Sequence, residues 1–108
     1  QMFFDNEKYF SFVKACREIG ITVPIIPGLK PIKTLEHITF LPKFFKIDYP
    51  EALSSELLKC KDNKQVEQLG IEWGIQQSKE LKEAGVPCIH YYTMSNSTMV
   101  KAIAKEIF

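Results

Sequence analysis

The sequence contains none of the short motifs that mark the commonest catalytic sites. Its 5 glycines occur singly, so neither a G-x-G-x-x-G fingerprint nor a P-loop is present to hold phosphate groups. It also lacks G-x-S-x-G, H-E-x-x-H and any compact group of cysteines and histidines. A glycine-rich dinucleotide-binding fold is therefore disfavoured, and the residues by themselves supply neither a complete catalytic constellation nor a metal site.

Cysteine is scarce as well. Cys16, Cys60 and Cys88 lie far apart and form no C-x-x-C pair, so they predict neither a zinc site nor a disulfide framework. Cys16 falls on the apolar side of a helical pattern, and Cys88 opens a strand-like run. We expect both to be buried, reduced thiols, because free cysteine is among the most buried residue types.

Neither a charge excess nor a long apolar run is present. The 14 basic and 13 acidic residues leave a net charge of +1, and the lysines are spread along the chain, which gives no reason to expect nucleic acid. No run of about 18 apolar residues could span a bilayer, and residues 1–5 lack the basic and apolar regions of a signal peptide. Because 45% of the residues are hydrophobic and 25% charged, an ordinary globular composition, we expect a soluble, cytoplasmic protein without a membrane partner.

Strand-like and helix-like patterns alternate along the chain. Short apolar, β-branched or aromatic runs predict strands at residues 1–4, 21–26 and 87–93. Apolar residues at three- and four-residue spacing, with capping residues at the ends, predict helices at residues 6–19, 34–41, 50–57, 62–84 and 95–107. Strands separated by helical crossovers run parallel, so we predict one α/β domain with a parallel sheet.

Three strands alone make an incomplete sheet. Their edges would stay exposed, which natural proteins avoid by covering, pairing or closing them, so the pattern predicts a missing partner segment. In a barrel of parallel strands the active site lies at the carboxyl ends of the strands, which places residues 27–30 and 92–96 beside a candidate site. The alternative is that residues 27–28 form an ordinary turn and that residues 91–92 serve packing.

Isolated polar and aromatic residues have plain structural explanations. The patterns predict that His37 is a solvated surface histidine, that His90 belongs to the core or a barrel wall, and that Trp73 packs a helix on a barrel. Gln1 supplies both a donor and an acceptor, which suits the amide-like edge of a heterocyclic ring. Alone, this residue is weak evidence for such a ligand.

Four stretches occur in an order that resembles the closing part of a known enzyme family. They are QMFFD at residues 1–5, IIPGLKP at residues 25–31, GIE at residues 70–72 and IHYYTMS at residues 89–95. These stretches resemble motifs of the methylenetetrahydrofolate reductases, and the spacing between them is similar too. The likeness runs over essentially the whole chain, and ordered motifs are far more specific than any single one.

The resemblance implies a fold and an activity. Members of this family fold as a (β/α)8 TIM barrel that holds FAD, and they reduce 5,10-methylenetetrahydrofolate to 5-methyltetrahydrofolate with electrons from NADH or NADPH. Residues 1–108 would form a single partial domain, the C-terminal part of that barrel with strands six to eight, in which residues 29–61 elaborate the region after strand seven. Most FAD contacts and the acidic catalytic residues belong to the earlier strands. We therefore assign no catalytic residue, and we expect the chain to be inactive alone and to oligomerise or pair with the rest of the barrel.

The resemblance also implies binding residues. Gln1 matches the glutamine that hydrogen-bonds the folate pterin and also meets the nicotinamide cofactor, so it is assigned to substrate and cofactor binding. Tyr92 lies at the folate-facing end of the last strand, and Met94 holds a position that is usually leucine. In this interpretation Gln1 orients the pterin, while Tyr92 and Met94 shape the wall beside it.

Other positions depart from the family pattern. His37 and Leu41 fall where bacterial members place glutamine and phenylalanine near the bound ring, and both are assigned to substrate binding. Asn96 stands where an arginine contacts the benzoyl-glutamate part of folate. Loss of that charge removes a charge-assisted pair, and Lys30 or Lys33 is the alternative for recognition of the tail.

Two other hypotheses remain beside the reductase. The chain is either a non-catalytic fragment, whether processed, proteolysed or a half-barrel binding module, or part of a different parallel α/β enzyme. The first of these would bind a partner or ligand without turnover. The second requires the ordered motif match to be chance, and likeness of fold alone would then say nothing about function.

Overall fold

The computed structural model describes residues 2–38, 43, 49–93 and 97–108. Helices and short strands follow one another along these ranges, in an order close to the predicted one. They are α1 (Asn6–Glu18), β1 (Gly28–Leu29), α2 (Glu51–Leu58), α3 (Asn63–Glu83), β2 (His90–Tyr91) and α4 (Thr98–Ile107). Residues 35–38 are helical as well.

Helices α1 and α3 begin and end within one residue of the predicted bounds. The Asp5 and Asp62 carboxylates each accept a backbone N–H of the first helical turn, at 3.0 and 2.9 Å, which satisfies donors that have no intrahelical partner. Gly20 and Gly85 follow the two helices with φ angles of 92° and 82°. That left-handed conformation suits glycine and closes a helix C-terminus.

Three stretches of the chain lie side by side in the sheet. Strand β1 pairs in parallel with β2, with Gly28 opposite His90 and Leu29 opposite Tyr91. On the other side of β1, Met2 forms a parallel bridge with Gly28. The parallel arrangement predicted from the helical crossovers is confirmed, and β1 is the middle stretch. Closure of the sheet into a barrel stays a prediction.

The strand predicted at residues 21–26 is wrong. Those residues are not in a strand, and β1 begins only at Gly28, where His90 N–H donates to the Pro27 carbonyl at 2.9 Å. Ile21, Val23 and Ile26 are exposed large side chains. An apolar run is compatible with burial, but a strand forms only where a neighbouring strand supplies backbone hydrogen bonds. The neighbouring stretches pair with the chain only later, from Gly28 onwards. For the same reason the predicted strand at residues 87–93 shortens to β2.

The sheet rests on α3 and α2 through one hydrophobic cluster. Its buried members come from the N-terminal stretch, the segment after β1 and both helices: Met2, Phe4, Ile32, Leu53, Leu57 and Val66. Trp73 of α3 packs against this cluster and donates its Nε1–H to the Phe4 carbonyl at 2.9 Å, which confirms its predicted packing role. The Tyr91 and Ser78 hydroxyls hydrogen-bond at 2.7 Å and tie β2 to the same helix.

A buried amide pair joins α1 to α3. The Asn6 side chain donates to the Gln77 carbonyl at 3.1 Å, and Gln77 Nε2 donates to Asn6 Oδ1 at 3.0 Å. Both side chains are buried, and paired amides of this kind avoid the cost of unsatisfied polar groups. The two contacts fix the helix that follows the first strand-like stretch against the long helix.

The cysteines separate into two environments. Cys16 is buried on α1, as expected, whereas Cys88 is exposed, and all three cysteines are free. The expectation of burial for Cys88 is wrong because it precedes β2 and lies outside the paired part of the sheet. Along the described ranges, no helix is both long and apolar enough to cross a bilayer.

Candidate functional site

The carboxyl ends of the parallel strands meet at one edge of the sheet. Lys30 directly follows β1, and Tyr92 directly follows β2. The Tyr92 N–H donates to the Leu29 carbonyl at 2.9 Å, so hydrogen bonding between the two chain stretches continues past the paired residues. Ligands of parallel α/β proteins bind at this edge, which makes it the candidate site.

The Tyr92 ring occupies the space left by a glycine. A Cβ atom on Gly28 would lie 2.8 Å from Cε2 of Tyr92, a separation that requires one of them to move. The His90 ring meets the Tyr92 ring edge to face, with the centroids 4.7 Å apart. Side chains two positions apart on a strand share a face, so both rings lie on the face opposite Tyr91. His90 was predicted in a core or barrel wall, and on this chain it is exposed.

Hydrogen bonds hold both the ring and the backbone of His37 in place. Its Nδ1 accepts the Lys33 backbone N–H at 3.1 Å, and its carbonyl accepts the Tyr49 hydroxyl at 2.5 Å. The side chain is half-buried, so the prediction of a solvated surface histidine is wrong. Burial is the main cause that lowers the pKa of His37, the nearby Lys30 adds to it, and Glu36 opposes it. The imidazole is therefore favoured in its neutral form, with Nδ1 as an acceptor.

Tyr49 connects His37 to the hydrophobic cluster. Its ring packs tilted against Phe4 with the centroids 5.1 Å apart, and burial raises the pKa of Tyr49 to about 12. Tyr92 packs against the same cluster. His37 and Tyr92 are thus linked through Tyr49 and the cluster. Sequence reasoning missed Tyr49, although an aromatic residue just before the proline that precedes α2 was a usable signal.

Two lysines supply positive charge beside β1. Lys30 and Lys33 are both half-buried. Burial lowers the pKa of Lys30, and the charge of Lys33 lowers it further. Together with the Tyr92 hydroxyl, this edge offers donors and aromatic rings, which suit the binding and orientation of a planar or anionic ligand.

The other predicted site residues lie outside the described part of the chain. Gln1, Leu41, Met94 and Asn96 are in this group, so their assigned roles stay predictions. Among the described residues, His, Cys, Asp and Glu side chains form no group of three that could hold a metal ion.

The fold defines a parallel-strand α/β protein, and this edge is its candidate ligand site. The chain belongs to the methylenetetrahydrofolate reductase family, whose family model matches residues 1–107. The family assignment made from the four ordered motifs is confirmed.

Relatives of this chain are methylenetetrahydrofolate reductases, and the chain spans a different fraction of each. It is 38% identical over 109 residues to a probable methylenetetrahydrofolate reductase (NADPH) of Caenorhabditis elegans, covering 99% of this chain and 16% of the relative. A methylenetetrahydrofolate reductase (NADH) of Zea mays is 35% identical, covering 88% of this chain and again 16% of the relative. The 5,10-methylenetetrahydrofolate reductase of Escherichia coli is 29% identical, with 99% and 36% covered. The chain therefore spans between about a sixth and about a third of these relatives.

A solved structure shares the fold. It is a Clostridium thermocellum protein that binds two copies of 5-methyl-5,6,7,8-tetrahydrofolic acid. Its TM-score to this chain is 0.54 at 21% identity, and the match covers 99% of this chain and 40% of that protein. The described helices and parallel strands thus match part of a larger α/β structure.

Proposed function

We propose that this chain is the C-terminal part of the (β/α)8 barrel of a reductase that converts 5,10-methylenetetrahydrofolate to 5-methyltetrahydrofolate. The electrons come from NADH or NADPH and pass through FAD. The observation that carries the proposal is the family match over residues 1–107. In this arrangement Met2, β1 and β2 belong to barrel strands six, seven and eight.

The candidate edge supports a folate ligand. It combines aromatic rings at Tyr92 and His90 with donors at Lys30 and Lys33, and folate combines a planar pterin with a negatively charged glutamate. The Clostridium thermocellum protein with the same partial fold binds 5-methyltetrahydrofolate, which is the product of the proposed reaction. The chemistry of the edge and the ligand of the Clostridium thermocellum protein therefore both favour a folate.

In this proposal the assigned residues contact different parts of the ligand. Gln1 presents a carbonyl and an amide to the pterin and meets the nicotinamide in turn, while Tyr92 and Met94 form the wall beside the ring. His37 and Leu41 are assigned to binding of the ring, and Asn96 is assigned to the benzoyl-glutamate part. These side chains act by positioning, which is the protein's main contribution in cofactor enzymes.

FAD does not fit between the sheet and the helices of this chain. The hollow there, lined by Leu29, Trp73 and Tyr91 among others, encloses about 10 Å³, which is about the space that one water centre needs. The resemblance assigns most FAD contacts to the earlier strands, so the proposal places FAD against the part of the barrel outside this chain, where the bound flavin would supply the hydride transfer.

Replacement of Gln1 tests the proposal in the complete protein that carries this chain. Gln1→Ala should weaken folate recognition by about 1 to 3 kcal/mol, because pterin polar groups lose their partner. Flavin content should stay at the wild-type level, since the flavin contacts lie elsewhere. Steady-state turnover of methylenetetrahydrofolate and the flavin absorbance of the purified protein give the two measurements.

The matched control is Gln68→Ala, which removes an exposed glutamine of α3 that bonds only Glu72 in the described structure. It should leave both measurements unchanged. Wild-type folate kinetics in Gln1→Ala would remove Gln1 from the site, and loss of flavin would give it a role in the fold. A wild-type protein that binds folate without turnover would instead favour a non-catalytic binding module.

A further inference from the structure

A single peptide unit joins α3 to the ring of His37. The Ile32 carbonyl and the Lys33 N–H belong to the same peptide bond, which is trans, so the two polar groups point in opposite directions. The carbonyl lies against Gly70 of α3, where an added Cβ would collide with its oxygen. The N–H donates to Nδ1 of His37 at 3.1 Å. Gly70 and His37 therefore contact opposite edges of one rigid plane.

This peptide unit has little room to turn. The Ile32 side chain is 1% exposed and belongs to the hydrophobic cluster. Asn63 of α3 accepts the Leu35 N–H through Oδ1 at 2.9 Å, so the helix contacts the same segment a second time. Asn63 and Gly70 are seven positions apart and share one helix face. The segment from Ile32 to Leu35 is thus fitted to that face of α3.

The backbone of His37 is fixed independently of its ring. Its N–H donates to the Thr34 carbonyl at 3.1 Å, and its carbonyl accepts the Tyr49 hydroxyl. The Lys33 N–H then determines how the ring is turned, because it binds the ring at Nδ1. Burial lowers the pKa of His37, which favours the neutral imidazole. A neutral imidazole whose Nδ1 accepts a hydrogen bond carries its proton on Nε2.

We propose that Gly70 is a positioning residue for His37. It lets the Ile32 carbonyl approach α3, which aims the Lys33 N–H at Nδ1 and leaves Nε2–H as the donor that His37 offers to the folate ring. The step to the ligand rests on the proposed function, whereas the coupling of Gly70 to the ring does not. A side chain at position 70 would displace the carbonyl, tilt the peptide plane and move the N–H away from Nδ1. The GIE stretch at residues 70–72 thereby gains a role in the site.

The first test follows the ring nitrogens of His37 in the complete protein that contains this chain. Nitrogen-15 NMR of histidine-labelled protein at about pH 7.5, above the ordinary pKa of histidine, separates a ring nitrogen that carries a proton from one that accepts a hydrogen bond. The signals missing from His37→Asn identify those of His37. In the wild type the proton should lie on Nε2, and in Gly70→Ala the Nδ1–H tautomer should also appear. A wild type with the proton on Nδ1, or wild-type signals in Gly70→Ala, would overturn the proposal.

Ligand affinity measures whether the ring position matters for binding. Titration calorimetry with 5-methyltetrahydrofolate should show about 3- to 10-fold weaker binding for Gly70→Ala, the range for one hydrogen bond. The matched control is Gly74→Ala, whose Cβ would meet the Ile103 side chain; it should keep the wild-type affinity and ring signals. In a His37→Ala background, Gly70→Ala should cause no further loss, because both changes act on the same contact. Wild-type affinity in Gly70→Ala, or losses that add, would contradict this role.

A second pair of variants tests the coupling from the other end and does not require Gly70→Ala to fold. His37→Ala and His37→Asn both remove the imidazole ring, but only asparagine can accept the Lys33 N–H. The Gly70 amide signal should therefore move away from its wild-type position in His37→Ala and stay closer to it in His37→Asn. Equal shifts in the two variants would show that the peptide unit does not couple them. A wild type that binds no folate would contradict the proposed function, while the ring signals would still decide the coupling.

Discussion

His37 shows how a single side chain can hold a turn together while remaining half-buried. Its Nδ1 accepts the Lys33 backbone N–H only when that nitrogen carries no proton. Its carbonyl accepts the Tyr49 hydroxyl in either protonation state. Protonation of the ring at Nδ1 therefore breaks one of the two bonds that shape the segment after β1.

The protonation of His37 should make stability depend on pH. Burial, with Lys30, lowers its pKa in the folded chain below the value of about 6.5 of an unfolded histidine. The unfolded chain then takes up the proton first, so the free energy of unfolding is at its full value above about pH 6.5 and falls as the pH drops towards the folded pKa. Urea unfolding between about pH 7.5 and about pH 5.5 measures this slope.

His37→Asn is the matched variant for this prediction. The asparagine Oδ1 can accept the Lys33 N–H without titrating, so its stability should change less over the same pH range. An identical slope in the wild type and the variant would show that other groups cause the pH dependence.

The role of a residue can be predicted from the sequence where the local spacing shows which way its side chain faces. Trp73 was predicted correctly as a packing residue, since its helical spacing shows an inward face. His37 was interpreted as solvated because its partner Tyr49 is reached through a fold that the pattern does not reveal. Lys30 and Lys33 were predicted only as an alternative for recognition of the folate tail, because the sequence does not show that both side chains are half-buried beside β1.

At the scale of elements, the bounds of the helices could be predicted, but the bounds of the strands could not. The bounds of α3 follow from local chemistry, because Asp62 caps its first turn and Gly85 ends it. By contrast, no residue close to the apolar run at residues 21–26 indicates which strands it would pair with. The strand forms only where Met2 and β2, which are distant in sequence, supply pairing partners, and those partners pair with Gly28 and Leu29.

Close packing of α3 on the segment after β1 depends on Gly70. A Cβ at that position would collide with the Ile32 carbonyl oxygen and would lie 2.9 Å from Cε of Met99. Ile32 belongs to the buried cluster, so its backbone has little freedom to move. Gly70→Ala should lower the free energy of unfolding by about 1 to 3 kcal/mol, the usual cost of overpacking, despite the gain of about 1 kcal/mol in helix propensity.

Gly74→Ala on the same helix is the control for Gly70→Ala. Its new Cβ would meet Cδ1 of Ile103 at 2.5 Å, and the end of a flexible side chain can shift at lower cost than a backbone carbonyl. Urea unfolding should therefore show a smaller loss for Gly74→Ala. A Gly70→Ala chain as stable as the wild type would contradict the close approach.

Several large apolar side chains of α1 and of the segment after it are exposed, and we call this group the apolar patch. Phe12 of α1 and Ile19 directly after it are 59% and 77% exposed, and Val23 and Ile26 of the following segment are 61% and 52% exposed. Exposed apolar patches of this kind mark surfaces that another element covers. The composition predicted a globular protein with a core, and it could not predict this patch, because the patch depends on which helical face the rest of the fold leaves open.

The isolated chain of 108 residues should therefore self-associate or pair with a chain that supplies the rest of the barrel. Both would bury the apolar patch and the outer edges at Met2 and β2, which otherwise present unpaired backbone groups. Sedimentation velocity over a range of concentrations should show species larger than a monomer, and Ile19→Lys/Val23→Lys should reduce them while circular dichroism keeps its helical signal. Addition of the N-terminal part of the barrel should compete with self-association if the same surface is used. A monodisperse monomer at all concentrations, with slow amide exchange in β2, would mean that the described strands are stable without a partner and would contradict the partial-barrel arrangement.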